Sequence, residues 1–327
     1  MHVTISEAVP FCREDRAIGL IQVTDFNQAG WQDSAAASER SRWYCETLEE
    51  GEILFFPQTP FILPSEDCDY LRNVRQTRSS HYKNISYRPE ESRVKGFDGH
   101  TAGHATLFRI FQSYSNRVTS FVASFLAPYA SQMTVDYASF RPIEEEGRPL
   151  PTRLRNDLLH VDSFPTRPSH GNRILRVFTN LNPVHPRVWL TGERFDHIAR
   201  KYAAPAGLLE VSRAALSPLG RLRDFCVRMA QSLRLPVAAR SPYDQFMHRF
   251  HHYLKASNEF QGSCPKSQWE FPPFSTWLLY TDLVPHAVIS GQYALEQTFM
   301  VPRRALVLPG RAPISVLEQM CGAPLAH

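Results

Sequence analysis

The chain has 327 residues, 43% of them hydrophobic and 21% charged, with a formal net charge of +4: ordinary values for a folded domain with ample material for a core. No apolar run is long enough to span a bilayer, because Arg, Asp or Pro interrupts the longest ones. The N-terminal MHVTISEAVPFCRED has neither a basic leader nor an apolar core, which argues against secretion, and six scattered cysteines without a C-x-x-C pair read as free thiols in a reducing cytoplasm.

In chain order, residues 1–133 read as an α-rich lobe. Within it ILFFPQTPF (53–61) is a buried strand halted by proline, which lacks a ladder donor. SEDCDYLRNVRQ (65–76) starts a helix, with Ser65 as N-cap and acidic residues in the first turn. Leu107, Ile110, Phe111, Val118, Phe121, Val122 and Phe125 recur at helical spacing. From 134 to 327 β character dominates. TVDYASFRP (134–142), RILRVFTNLNP (173–183) and STWLLYTDLV (275–284) are strands, and HAVISGQYALEQTFMVP (286–302) reads as a strand pair around Ser290-Gly291. The predicted class is mainly β with helices, a sandwich or barrel. A helical block at about 193–265 reads as an insertion between strands of this one β-fold, since the strand pattern resumes after it.

HVDSF (160–164) carries the first functional signal. On a strand, residues two apart share a face, so His160 and Asp162 project together. His286, at a strand start beside a proline, is the strongest third ligand. Two histidines and one carboxylate make the facial triad of non-haem Fe(II) oxygenases, which leaves positions for a bidentate 2-oxo acid and O₂. Asp244, His248 and His252, spaced i, i+4, i+8, form a rival zinc set, although a polar helix stripe opposite Phe246, Phe250 and Tyr253 accounts for them more simply. The chain has no G-x-S-x-G, P-loop or G-x-G-x-x-G, which removes the commonest hydrolase and nucleotide readings.

Along RILRVFTNLNP, Ile174, Arg176, Phe178 and Asn180 share one face. A mid-strand arginine between apolar residues requires an anion, and its fork suits the distal carboxylate of 2-oxoglutarate. The alternative is an arginine snorkelling at a sheet edge.

HVD followed by a loop and R-x-x-x-x-x-x-N-L-N resembles the Fe(II)/2-oxoglutarate dioxygenases. The resemblance implies a double-stranded β-helix (jelly-roll, cupin-like) core. One departure is ALEQ (294–297), where many such enzymes carry an arginine after the distal histidine; the anchor then falls to Arg176, with Asn180 or Gln297 assisting. LLHVDSFPTRPSHGNRILRVFTNLNP, RVWLTGERF, SPYDQFMHRFHHYLK, FPPFSTWLLYTD and HAVISGQYALEQTF, with KNISYRP and SFRPIEEEGRPLPTR, together resemble the Kdo hydroxylases of Gram-negative bacteria. That likeness implies hydroxylation of carbon 3 of Kdo in Kdo-lipid A to give Ko. It also implies Fe(II), with 2-oxoglutarate and O₂ as co-substrates and ascorbate as a candidate reductant. Alternatives on the same core are a protein or peptide hydroxylase and a non-catalytic metal-binding protein.

The charge pattern suits an anionic glycolipid. Basic residues crowd 72–95 and 141–176, and Lys83, Arg88, Arg141 and Arg167 are the candidate substrate contacts. Such a surface also suits peripheral contact with an anionic leaflet, at the cytoplasmic face of the inner membrane. Nucleic acid is disfavoured for want of an aromatic RNA-binding motif or a recognition helix.

Overall fold

The computed structural model describes residues 17–26, 31, 35–74, 84–97, 103–218, 220, 229 and 240–326. Its strands are β1 (Leu20–Gln22), β2 (Ile53–Phe56), β3 (Ile85–Arg88), β4 (Arg93–Lys95), β5 (Thr134–Arg141), β6 (Arg173–Asn180), β7 (Arg187–Thr191), β8 (Ser267–Phe271), β9 (Thr276–Tyr280), β10 (His286–Ser290) and β11 (Ala294–Val301). They form a larger sheet in the order β1-β2-β9-β6-β11-β5-β3-β4 and a smaller one in the order β10-β7-β8. The segment bearing His160 adds a single antiparallel bridge to His286, on the open side of β10. Two facing, largely antiparallel sheets of this kind make a jelly roll, a double-stranded β-helix.

Alternation along the central strands decides what lies on each face of the larger sheet. Phe178 of β6 and Trp277 and Leu279 of β9 point toward the smaller sheet. There they pack with Trp189, Phe271 and Val288 into an aromatic core, with Trp277 stacked on Phe271 at 3.9 Å between centroids. Leu175, Val177, Leu278 and Tyr280 point the other way, into a second core shared with the helices. Among those helices are α1 (Ala35–Glu49), α2 (Ser65–Asn73) and α3 (Gly103–Phe125). Leu107, Ile110, Phe111, Val118, Phe121, Val122 and Phe125 form the buried face of α3, as their spacing predicts.

Residues before 134 therefore do not stand apart from the β-fold. They supply β1 to β4 of the larger sheet, and their helices share one apolar core with β5, β6, β9 and β11. The block after β7 contains α4 (Phe195–Tyr202), α5 (Leu208–Leu216), α6 (Pro242–Ala256) and α7 (Asn258–Ser263). It leaves the smaller sheet at β7 and returns at β8, the antiparallel neighbour of β7. The chain ends with α8 (Pro313–Cys321).

Two local expectations are corrected. Ser65 does not cap α2: Pro64 is the cap residue, in extended conformation, and no side chain accepts from the first turn. The stretch 286–302 is not a hairpin: β10 pairs with β7, whereas β11 pairs with β5 and β6. The turn switches sheets at Gly291, whose φ of +121° and close approach to Arg187 exclude a side chain. Of the cysteines, Cys45, Cys68, Cys264 and Cys321 are free thiols; Cys12 and Cys226 lie outside the described residues.

Candidate metal centre and co-substrate pocket

His160 and His286 face each other across the antiparallel bridge, exchanging backbone hydrogen bonds of 3.1 and 2.9 Å. Asp162, two residues on, donates its N–H to the Thr281 carbonyl at 2.8 Å, which carries its side chain back toward the two rings. Donor atoms of the three residues all lie within 4.8 Å of one another, and this is the one such group among the described residues. Nδ1 of His160 lies 2.7 Å from the Leu158 carbonyl and Nδ1 of His286 lies 2.8 Å from the Val284 carbonyl. A carbonyl can only accept, so Nδ1 carries the proton in both rings and Nε2 keeps its lone pair.

Electrostatics complete the donor set. Burial pushes the His160 imidazolium well below its ordinary pKa, aided by repulsion from His286 and His251, and burial likewise lowers His286. Burial alone would raise the Asp162 carboxyl, but Arg176, His286 and His160 outweigh it and hold the group far below the usual range. Two neutral imidazoles and one carboxylate aimed at a common point fit a divalent first-row metal of the Fe(II) type. The Trp189 ring stacks on His286, with centroids 5.3 Å apart at 17°, and closes that side.

The buried guanidinium of Arg176 meets two carboxylates, Asp162 at 2.7 Å and Glu296 at 2.5 Å. Glu296 also accepts from Arg141 at 2.8 Å, and Glu145 lies 3.7 Å from Arg141 and 3.8 Å from Arg187. Arg187 is 1% exposed, gives one N–H to the Gly291 carbonyl, and leaves Nε and Nη2 without a hydrogen-bond partner; Arg176 Nε is likewise unpaired. Arg141, Asn156, Arg176, Phe178, Trp189 and Val288 line a cavity of about 50 Å³ with the metal donors. A larger cavity of about 440 Å³ lies between Arg194, Arg200 and Arg311 and touches none of the three donors.

Arg176 therefore stands beside the metal donors, but the anions that neutralise it belong to this chain. Neither expected assistant joins it. Asn180 shares its face, yet its amide is spent on the carbonyls of His185, Phe271 and Pro272 and on the Asn182 N–H. Gln297 pairs with Val177 in the ladder and so faces away from Arg176, donating to the Asp136 and Thr298 carbonyls. Of the four candidate substrate contacts, Arg141 lines the cavity. Arg88 and Arg167 both lie over the Tyr137 ring, at 4.7 and 3.8 Å, and pair with Glu91 and Asp136. Lys83 lies outside the described residues. The rival helical set dissolves, because Asp244 closes a capping box with Ser241 and also accepts from the N–H groups of Ser169 and His170.

Sequence reasoning missed Glu296, Arg187 and Trp189. For Glu296 the signal was present: a carboxylate in mid-strand between Leu295 and Phe299 calls for a buried cation as firmly as Arg176 calls for an anion.

Residues 30–324 match the family model described as 3-deoxy-D-manno-oct-2-ulosonic acid (Kdo) hydroxylase. A search of curated protein sequences finds no match. Among solved structures the chain is similar to the Kdo hydroxylase KdoO, a non-haem Fe(II) α-ketoglutarate-dependent dioxygenase, in complex with α-ketoglutarate and Fe(III). Identity to it is 32%, coverage is 94% of this chain and 97% of that one, and the TM-score is 0.77. The apo form of KdoO gives 32% identity with the same coverage and a TM-score of 0.78; its cobalt(II) complex gives 33% and 0.77. With the family model spanning nearly the whole sequence and this identity sustained over both chains, the protein belongs to the Kdo hydroxylase family of non-haem Fe(II)/2-oxoglutarate-dependent dioxygenases.

Proposed function

We propose that this chain hydroxylates carbon 3 of Kdo within Kdo-lipid A, with His160, Asp162 and His286 holding Fe(II). The observation that carries the reading is the juxtaposition of that buried donor set with the buried arginine cluster. Bound iron would supply the chemistry that couples O₂ reduction and 2-oxoglutarate decarboxylation to C–H hydroxylation.

The chain's own residues bind, orient and exclude water. Arg176 grips one oxygen of Asp162 at 2.7 Å and leaves the other, Oδ1, 3.8 Å from His160 Nε2 and 4.0 Å from His286 Nε2. The carboxylate is thus held ionised and aimed. Arg141 and Arg176, which line the cavity, receive the distal carboxylate of 2-oxoglutarate, and the unpaired Nε–H of Arg176 is a donor for it. Arg141 now bridges Glu145 and Glu296, so a diacid entering the cavity competes with these carboxylates for its guanidinium. Phe178, Trp189 and Val288 wall the cavity with apolar surface.

Arg88 and Arg167 over Tyr137 are our candidates for gripping the anionic groups of the glycolipid. The basic stretches 72–95 and 141–176 suit an anionic leaflet, and on that ground we place the reaction at the cytoplasmic face of the inner membrane. The direct test incubates the purified protein with Fe(II), 2-oxoglutarate, O₂ and Kdo-lipid A. Mass spectrometry should find one oxygen atom added to the Kdo residue, with succinate formed in step. Succinate without sugar oxidation, or oxidation of a peptide instead, would refute the substrate assignment.

A further inference from the structure

The segment that carries His160 has a strand partner on one side only. His160 directs its N–H and C=O toward His286, so the backbone of Leu159 and Val161 turns to the opposite edge. Side chains of the helical insertion meet that edge. Gln261 of α7 accepts from the Leu159 N–H at 3.1 Å and donates to the Leu159 carbonyl at 2.9 Å, and its amide also donates to the Leu254 carbonyl in α6 at 2.8 Å. His251 of α6 donates Nδ1–H to the Val161 carbonyl at 2.7 Å. Its ring also meets the His160 ring edge-on, with centroids 4.9 Å apart at 78°. At its other end α6 holds the loop C-terminal to the segment, through Asp244 and the N–H groups of Ser169 and His170.

We propose that Gln261 and His251 are positioning residues of the metal centre: side chains of the insertion take the place of a missing neighbour strand and set the aim of His160. The inference rests on His160 being a metal ligand. The physical reason is register. One ladder bridge and two flanking bonds, Asp162 N–H to the Thr281 carbonyl and Val288 N–H to the Asn156 carbonyl, hold the segment on one edge only. A slip of one residue would turn His160 and Asp162 to the other face. Gln261 blocks that slip, because its amide matches the donor and acceptor of one residue only. His251 does the same one residue beyond His160 and buttresses the ring itself.

The experiment titrates the metal-free, full-length protein with Co(II), reading affinity and the visible d–d bands, alongside thermal melts of the metal-free forms. Gln261→Ala and His251→Phe should each weaken Co(II) binding by about 10- to 100-fold, the usual loss for a group that orients a ligand, and should alter the d–d bands. His251→Asn, which keeps an N–H near the position of Nδ1, should recover most of the affinity. Should Gln261→Ala not fold, Gln261→Glu serves: it keeps the acceptor for Leu159 N–H and sets a repelling oxygen against two carbonyls. Wild-type affinity and bands in the Gln261 and His251→Phe variants, with binding abolished in His160→Ala, would overturn the proposal. Wild-type binding in His160→Ala would instead overturn the ligand assignment beneath it.

Discussion

Replacing Arg176 by alanine removes the one guanidinium that bridges Asp162 and Glu296, at 2.7 and 2.5 Å. Both carboxylates are then left buried, Asp162 beside two imidazoles and Glu296 with Arg141 alone. Breaking a buried pair by deleting one partner costs about 3–5 kcal/mol, because the remaining charge is uncompensated. The expected loss in the unfolding free energy of the metal-free protein at pH 7 is of that size, read by urea denaturation. Acid should shrink it. Burial opposes ionisation of both groups, but Arg176 and neighbouring charges lower the pKa values of Asp162 and Glu296 below their unfolded values. Groups of that kind contribute stability above their unfolded pKa, near 4, and lose it as pH falls through the folded pKa. In the variant the two carboxylates take up protons more readily, so the gap between variant and wild type should narrow as pH falls through their titration in the variant and on toward their lower folded pKa values in the wild type. The KM for 2-oxoglutarate should rise strongly in the same variant, and Arg176→Lys should recover only part of both effects, since lysine has no fork. A loss below about 1 kcal/mol at pH 7, with an unchanged KM, would refute the role assigned to Arg176.

Alanine at His160, Asp162 or His286 should abolish turnover and Co(II) binding while the fold, followed by circular dichroism, persists; His248→Ala and His252→Ala should bind Co(II) normally. Asn180→Ala should lower stability by about 1–3 kcal/mol, because three loop carbonyls lose their donor, and leave the 2-oxoglutarate KM of the folded protein unchanged; a rise in KM would return Asn180 to the co-substrate site. Charge reversal at Arg88 or Arg167 should reduce turnover of Kdo-lipid A and spare uncoupled 2-oxoglutarate decarboxylation, and wild-type turnover should fall with salt as exposed charges are screened over about 8–10 Å. Equal loss of coupled and uncoupled turnover would mark the Arg–Tyr137 contacts as structural. Charge reversal at Lys83 tests the remaining member of that set by the same comparison.

By itself the amino-acid sequence determined the features that rest on periodicity and residue chemistry. Alternation in RILRVFTNLNP assigns Arg176 and Phe178 to one face and Leu175 and Val177 to the other, and the structure has that division between its two cores. The two-residue spacing of His160 and Asp162 puts them on one side of a strand whatever the strand pairs with. Helical spacing likewise marks the buried face of α3. Tertiary structure decided everything that depends on which strands meet. His286 lies 124–126 residues from its fellow donors, and only the bridge between its segment and that of His160 brings the rings together. The pairing of Arg176 with Glu296 depends on β6 lying beside β11, and the separation of β10 from β11 depends on the sheet switch at Gly291. Asn180 and Gln297 show the same limit from the other side. Both are polar groups at plausible positions, but their partners are backbone carbonyls and an N–H supplied largely by other segments. A residue's type and local period say what it needs; long-range pairing, which neither encodes, settles what it meets.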